Sequence, residues 1–375
     1  MRYARLASPL LLAAVMAADA GVARAQPASP DVRAAELVAS LGLREDETPV
    51  RERAGWKKPS RIVVFGASPE RVAWLQEVAP GVELVRASSM RDAAGAADGA
   101  DAVIGACDAR VVQSTSVRWI QTYNAGMEHC LAAADFTRRD VLLTNMQRVA
   151  GPAMAEHVVA MMLAFARSLP AYFDVQRQRR WDRMPPGAPP AFTLEGKTVL
   201  VVGLGGIGTE VGRRAAALGM TVLATRATPR PAPDFVSELG LADALTRFTP
   251  RADIVVNTLP LTDATRGQFN AAVFATMKRG AYFINVGRGQ TVVTDDLVAA
   301  LRSGQLAGAG LDVVDPEPLP PDHPLWTMPN VIITPHSSSD SDVDEVSRWL
   351  VVRENLRRYV AGERMLSVVD PARGY

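Results

Sequence analysis

The sequence is poor in the residues that mark several classes of protein. Its 375 residues include two cysteines, too few for a disulfide scaffold or a four-cysteine zinc site. Four histidines mean that any metal site would be mostly carboxylate. Excess charge of one sign is missing too, since 41 Lys and Arg against 40 Asp and Glu leave a net charge of +1. That balance offers no footprint for a nucleic acid or an acidic membrane surface, and neither is an expected partner. Past Ala25 no segment reads as transmembrane, and there are no repeats at solenoid periods. What is present, 48% hydrophobic and 22% charged residues, is ordinary for a globular protein of two or three domains.

The N-terminus departs from this average. Arg2 and Arg5 precede an apolar run from Leu10 to Ala18, and small residues lead to Ala23-Arg24-Ala25. This order matches a secretory signal peptide over 1–25, cleaved after Ala25, and implies a periplasmic or exported protein. The alternative is a misassigned start, with Met16 or a later start used instead and a cytoplasmic protein.

Residues 26–59 read as an extension with a short amphipathic helix over 31–43, then a charged, proline-bearing loop. Short apolar runs follow at Arg61–Gly66, Glu83–Val85, Ala102–Ile104, Trp119–Gln121 and Val141–Thr144, with helical patterns between most of them. Alternating strands and helices imply a parallel sheet, hence a first α/β domain. The segment 153–169 is apolar nearly all round, which predicts a helix buried between domains or between subunits. Arg177 to Pro190 is basic and then proline-rich, a linker with a solvated face. A second α/β series begins at Lys197, with strands at Thr198–Val202, Thr221–Ala224, Ile254–Thr258, Ala281–Val286, Ala309–Val313 and Val331–Thr334. A helix over 341–361 closes it.

Between the strand Thr198–Val202 and the next helix lies Gly203-Leu-Gly205-Gly206-Ile207-Gly208. Alone, G-x-G-x-x-G is a weak signal; between a strand and a helix it is a strong one for a dinucleotide. Gly203 permits the tight turn, Gly205 lets backbone approach a pyrophosphate, and Gly208 lets the helix pack on the strand. The phosphates would lie on the N–H groups at the helix start. An NAD site usually places an acid at the end of the next strand to bind the ribose 2′-hydroxyl. Here that stretch is Thr225-Arg226-Ala227-Thr228-Pro229-Arg230. Arginine grips a 2′-phosphate, so NADP(H) is expected over NAD(H). The plainer alternative stacks Arg226 on the adenine and leaves Arg230 on the surface.

Ligands of open α/β sheets bind outside the carboxyl ends of the strands. Three charged groups follow strands there: Arg288, Glu317 and His336. With Asn257-Thr-Leu-Pro260-Leu-Thr262, Asn285-Val-Gly-Arg-Gly289, Leu311-Asp-Val-Val-Asp-Pro-Glu-Pro318 and Thr334-Pro-His336, the sequence resembles the D-isomer-specific 2-hydroxyacid dehydrogenases from about Arg61 to its end. The resemblance implies two Rossmann-like α/β domains with parallel sheets. A dinucleotide-binding domain (166–335) is then inserted into a discontinuous substrate domain (60–165 and 336–375). It also implies a homodimer and a small 2-oxo or 2-hydroxy acid as substrate. Arg288 would hold the substrate carboxylate and polarise its carbonyl, His336 would donate the proton, and Glu317 would orient the ring. Pro260, Asp312 and Ser338 fall on the cofactor side. The loop of Asn124, Ala125 and Gly126 would offer backbone N–H groups to the carboxylate.

The expected activity is therefore NADPH-dependent reduction of a 2-oxo acid, as in glyoxylate or hydroxypyruvate reductases. Two other readings stand beside it. A corepressor-like dinucleotide sensor would bind without turnover. A formate dehydrogenase-like oxidase would pair its histidine with Gln, where this chain has Glu317. His129, His157 and His323 read as packing or surface residues. Cys107 and Cys130 are expected as reduced, buried thiols rather than as a pair.

Overall fold

The computed structural model describes residues 28–132, 141–185 and 187–371. The signal-peptide reading lies outside the described residues. The first sheet holds β1 (Arg61–Phe65), β2 (Glu83–Ala87), β3 (Ala102–Ile104), β4 (Trp119–Gln121) and β5 (Leu142–Thr144). All pair in parallel in the order β2-β1-β3-β4-β5. Ile62, Val63 and Val64 are fully buried. Ile62 and Val64 join one apolar cluster and Val63 another. A strand covered on both faces needs a continuous apolar run, and this one has it.

The chain returns to that sheet at its end. The helix Asp344–Ala361 places Trp349, Val352 and Leu356 in the cluster of Ile62 and Val64. Its Tyr359 ring lies 4.6 Å from that of Trp119. Buried Asn355 is satisfied from both sides: its Nδ2 donates to Gln121 Oε1 (2.7 Å) and its Oδ1 accepts from Leu366 N (2.9 Å). The helix Pro30–Leu41, whose N-terminal Ser29 hydroxyl accepts from Val32 N, is fastened to the same helix by the Asp31–Arg353 ion pair.

The second sheet holds β6 (Thr198–Val202), β7 (Thr221–Arg226), β8 (Glu238–Leu241), β9 (Ile254–Asn257), β10 (Ala281–Asn285), β11 (Leu306–Leu311) and β12 (Val331–Ile333). Its order is β12-β11-β10-β9-β6-β7-β8, again all parallel. The edge strand β8 is not among the strands expected from the sequence. Glu238-Leu-Gly-Leu241 has no β-branched residue, and β8 pairs only with β7. The helix Gly151–Ala166 buries Val158, Met161, Met162 and Phe165 against this second sheet, with Phe165 stacked 5.0 Å from Tyr282. Leu163 on its other side is 40% exposed.

One expectation is corrected. Cys107 and Cys130 are joined in a disulfide, with 5.3 Å between their Cα atoms. Cys107 follows β3, and Cys130 sits on the helix Glu128–Ala132 that follows β4. Because β3 and β4 are parallel neighbours, both cysteines emerge at the same rim. Among the described residues no single helix is long and apolar enough to cross a membrane.

Candidate active site

Between β6 and the helix Gly206–Ala217, Gly203 has φ 98°, a conformation costly for any residue with a Cβ. Its N–H and that of Leu204 donate to the Thr225 carbonyl at 3.1 and 2.7 Å. A Cβ on Gly208 would lie 2.3 Å from the Gly203 carbonyl oxygen, so only glycine lets the helix approach this closely. Above Gly205 there is open space, and no side chain caps the helix start. Free N–H groups at a helix N-terminus bind anions. Half-buried Ile207 packs against the cluster behind the loop.

At the end of β7, Arg226 is half-buried, and its buried Nε has no hydrogen-bond partner among the described residues. The Thr225 side chain is buried, so what it brings to the loop is its carbonyl. Arg230 is exposed. The Pro260 carbonyl accepts from Thr265 Oγ1 at 2.7 Å. An open glycine cradle beside an orphaned guanidinium nitrogen fits a phosphorylated dinucleotide.

After β10, the Arg288 carbonyl accepts from Thr291 Oγ1 (2.6 Å) and Asn285 Nδ2 (3.3 Å), which fixes its backbone. Beyond β11, the buried Asp312 carboxylate accepts from Thr334 Oγ1 (2.7 Å), Ser337 N (2.9 Å) and Ser338 N (3.2 Å). It thereby holds the loop after β12, which carries His336 at φ 54°. His336 N also donates to the Asp312 carbonyl at 2.8 Å. His336 Nδ1 lies 2.7 Å from Glu317 Oε1, and these side chains are 46% and 40% exposed. Ser338 is buried, with no partner for its hydroxyl among the described residues.

His157, set aside from the sequence as packing, supports this loop: its Nε2 lies 3.0 Å from Thr334 Oγ1. The one hydroxyl proton of Thr334 goes to Asp312, so His157 Nε2 is the donor in that bond.

The first sheet supplies the facing wall. The Asn124 and Ala125 carbonyls accept from Met146 N (3.1 Å) and Asn145 Nδ2 (2.7 Å). Among the described residues nothing accepts from the N–H groups of Asn124, Ala125 and Gly126. Arg288 lies directly against this loop, since a Cβ on Gly126 would sit 1.9 Å from its Nη2. The structure thus brings Arg288, Asn124, Ala125 and Gly126 together. Sequence reasoning missed Glu128, whose Oε1 accepts from Arg288 Nε at 2.9 Å. The available signal was an acid two residues beyond Gly126.

Comparison with known proteins follows the same line. The family model described as D-isomer specific 2-hydroxyacid dehydrogenase, NAD binding domain, matches residues 159–338. The glyoxylate reductase/hydroxypyruvate reductase of Mus musculus is 35% identical over 255 residues, covering 67% of this chain and 76% of that protein. The glyoxylate/hydroxypyruvate reductase A of Photorhabdus laumondii is 36% identical over 229 residues, 60% of this chain and 69% of that one. A solved D-isomer specific 2-hydroxyacid dehydrogenase from Xanthobacter autotrophicus Py2, in complex with NADPH and MES, superposes with a TM-score of 0.72 at 33% identity. The match covers 85% of this chain and all of that one. An NADPH-dependent glyoxylate/hydroxypyruvate reductase from Sinorhizobium meliloti, in complex with NADP and sulfate, gives 0.71 at 31% identity, with 84% and 100% covered.

Proposed function

The chain belongs to the D-isomer-specific 2-hydroxyacid dehydrogenase family, and from that premise we propose that it reduces a small 2-oxo acid to the D-2-hydroxy acid with NADPH, as a glyoxylate or hydroxypyruvate reductase does. The observation that carries this reading is that the carboxyl rim of one sheet carries three groups. His336 pairs with Glu317 beyond β12, Arg288 lies against N–H groups that have no acceptor among the described residues beyond β10, and the glycine cradle follows β6.

The dinucleotide, when bound, supplies the hydride for the carbonyl carbon. The Arg288 guanidinium and the N–H groups of Asn124, Ala125 and Gly126 hold the substrate carboxylate. Arg288 also faces the carbonyl oxygen as charge develops on it. His336 gives that oxygen its proton. With Nδ1 held by Glu317, Nε2 is the atom that hands the proton over. A carboxylate that pairs with Arg288 through Nε displaces Glu128.

The preference for NADPH is supported by the absence of an acid at the end of β7 and by the unpartnered Arg226 Nε. A homodimer belongs to the same reading. Trp181 is 98% and Met184 86% exposed, and an open groove beside the helix Gly151–Ala166, lined by Phe173, Trp326 and Met328, would accept such side chains from a second copy. Export is supported by the Cys107–Cys130 disulfide, which suits an oxidising compartment. N-terminal sequencing of fractionated protein checks that point.

The test is turnover of glyoxylate and hydroxypyruvate by purified protein with each reduced dinucleotide. The expected result is a D-hydroxy acid and a kcat/KM preference for NADPH above about tenfold, the worth of one hydrogen bond to a charged group. No turnover of any 2-oxo acid would sink the activity, and faster use of NADH would sink the cofactor assignment.

A further inference from the structure

Arg148 belongs to none of the motifs above. It precedes the helix Gly151–Ala166 and has φ 73°, a left-handed conformation that is uncommon outside glycine. The residue lies across the glycine loop. A Cβ on Gly206 would be 2.7 Å from Arg148 Cγ and 3.1 Å from its Cα, so glycine at 206 is what admits it. On its other side, Arg148 Nη1 donates to the Leu41 carbonyl at 3.3 Å. Leu41 ends the helix Pro30–Leu41, and Gly42 caps it at φ 57°. A residue of the first domain therefore touches both the phosphate loop and the N-terminal segment.

Among the described residues no carboxylate pairs with Arg148 or with Arg226. Burial lowers the Arg148 pKa, Glu210 opposes that, and the nearby positive charge of Arg226 lowers it again. Glu210 itself is held by Arg213 (2.6 Å) and Arg214. Neither guanidinium has a carboxylate within ion-pair distance among the described residues, which leaves both able to take an anion.

We propose that Arg148 and Arg226 form a clamp on a phosphate of the bound dinucleotide, and that the N-terminal segment sets the reach of Arg148 through the Leu41 carbonyl. The inference rests on the dinucleotide reading above. It adds that cofactor affinity is written partly in residues 28–42, outside the dinucleotide-binding fold. Arg226 reaches out from the cofactor sheet and Arg148 from the opposite domain. The clamp is therefore complete only when both domains stand as they do here.

The experiment is calorimetric titration of the full-length protein with NADPH and with NADH, without any 2-oxo acid. Arg148→Met should weaken NADPH binding by about tenfold to a hundredfold, the range for one lost hydrogen bond to a charged group. Arg148→Lys should restore part of it, as a point charge without the guanidinium fork. Loss confined to NADPH assigns the 2′-phosphate, and equal loss for NADH assigns the pyrophosphate. Gly42→Val, which strains the helix end at Leu41, should weaken NADPH binding about threefold with the thermal midpoint as a control for folding. The affinity of Arg148→Met should also fall less steeply with added salt than that of the parent. Unchanged affinity for both dinucleotides in Arg148→Met would overturn the clamp. An unchanged Gly42→Val protein would overturn the N-terminal link. A parent that binds neither dinucleotide would overturn the dinucleotide reading instead.

Discussion

Two side-chain pairs at the candidate site are built in opposite ways. His336 and Glu317 stand 19 residues apart on rim loops of one sheet. The buried Asp312 carboxylate holds the histidine loop through the Thr334 hydroxyl and the Ser337 N–H. Arg288 and Glu128 stand 160 residues apart, one on each domain. The first pair joins two loops at the carboxyl rim of one sheet. The second exists only where the domains meet. In the proposed mechanism proton delivery is thus local to the cofactor sheet, while substrate anchoring depends on how the domains stand.

Arg288→Met cuts the second pair and, in the proposed mechanism, removes the carboxylate anchor. It should lower kcat/KM by about a hundredfold to a thousandfold, the usual loss for a preorganised donor at the reacting oxygen, with NADPH affinity unchanged. A loss of less than tenfold would move substrate anchoring elsewhere. Cys107→Ser frees the short helix that carries Glu128. Closing a loop of 23 residues is worth about 3 kcal/mol in the chain-entropy account, so denaturant midpoints should fall accordingly. The His336–Glu317 side should be untouched, which an unchanged kcat and pH profile would report.

Asp101 offers a change in the first domain that touches neither pair. Burial works against its charge, but Ser60 N (2.7 Å), Arg61 N (3.1 Å), Lys57 and the Ser60 hydroxyl hold its pKa below the ordinary 3.8. A depressed folded pKa contributes stability above the unfolded-chain value and loses it as pH falls through the folded one. Asp101→Asn should therefore cost about 1–3 kcal/mol at neutral pH, and the difference from the parent should shrink in acid. A constant difference at all pH values would contradict this origin. The smallest effect is expected from Glu128→Gln. Removing the internal competitor for Arg288 should lower the KM of a 2-oxo acid by up to about tenfold, roughly 1.4 kcal/mol, with kcat little changed. A raised KM would mean that Glu128 positions the guanidinium rather than occupying it.

What was legible in the sequence follows the same division. Strands β3, β4 and β6 begin and end where the sequence reading placed them, because a buried parallel strand is read from its mostly apolar run. The glycine loop is legible because its chemistry is contained in six consecutive residues. Arg288, Glu317 and His336 could be proposed from the sequence because each follows a strand of the same sheet. Glu128 and Arg148 make contacts across sequence distances that only the packing of two domains closes. Strand β8 is an edge with a glycine and a glutamate, so its pattern carries little signal. The cysteine pair was hidden because pairing depends on β3 and β4 being neighbours, which composition does not reveal.

The central claim is that His336 delivers the proton in reduction while other residues do the binding. Rapid mixing of the preformed NADPH complex with a 2-oxo acid, for the parent and for His336→Ala, tests it most directly. The expected result is unchanged NADPH affinity and a hydride-transfer step slower by about a hundredfold to ten-thousandfold, the span for loss of a general acid. A step within a few-fold of the parent would show that the proton comes from elsewhere.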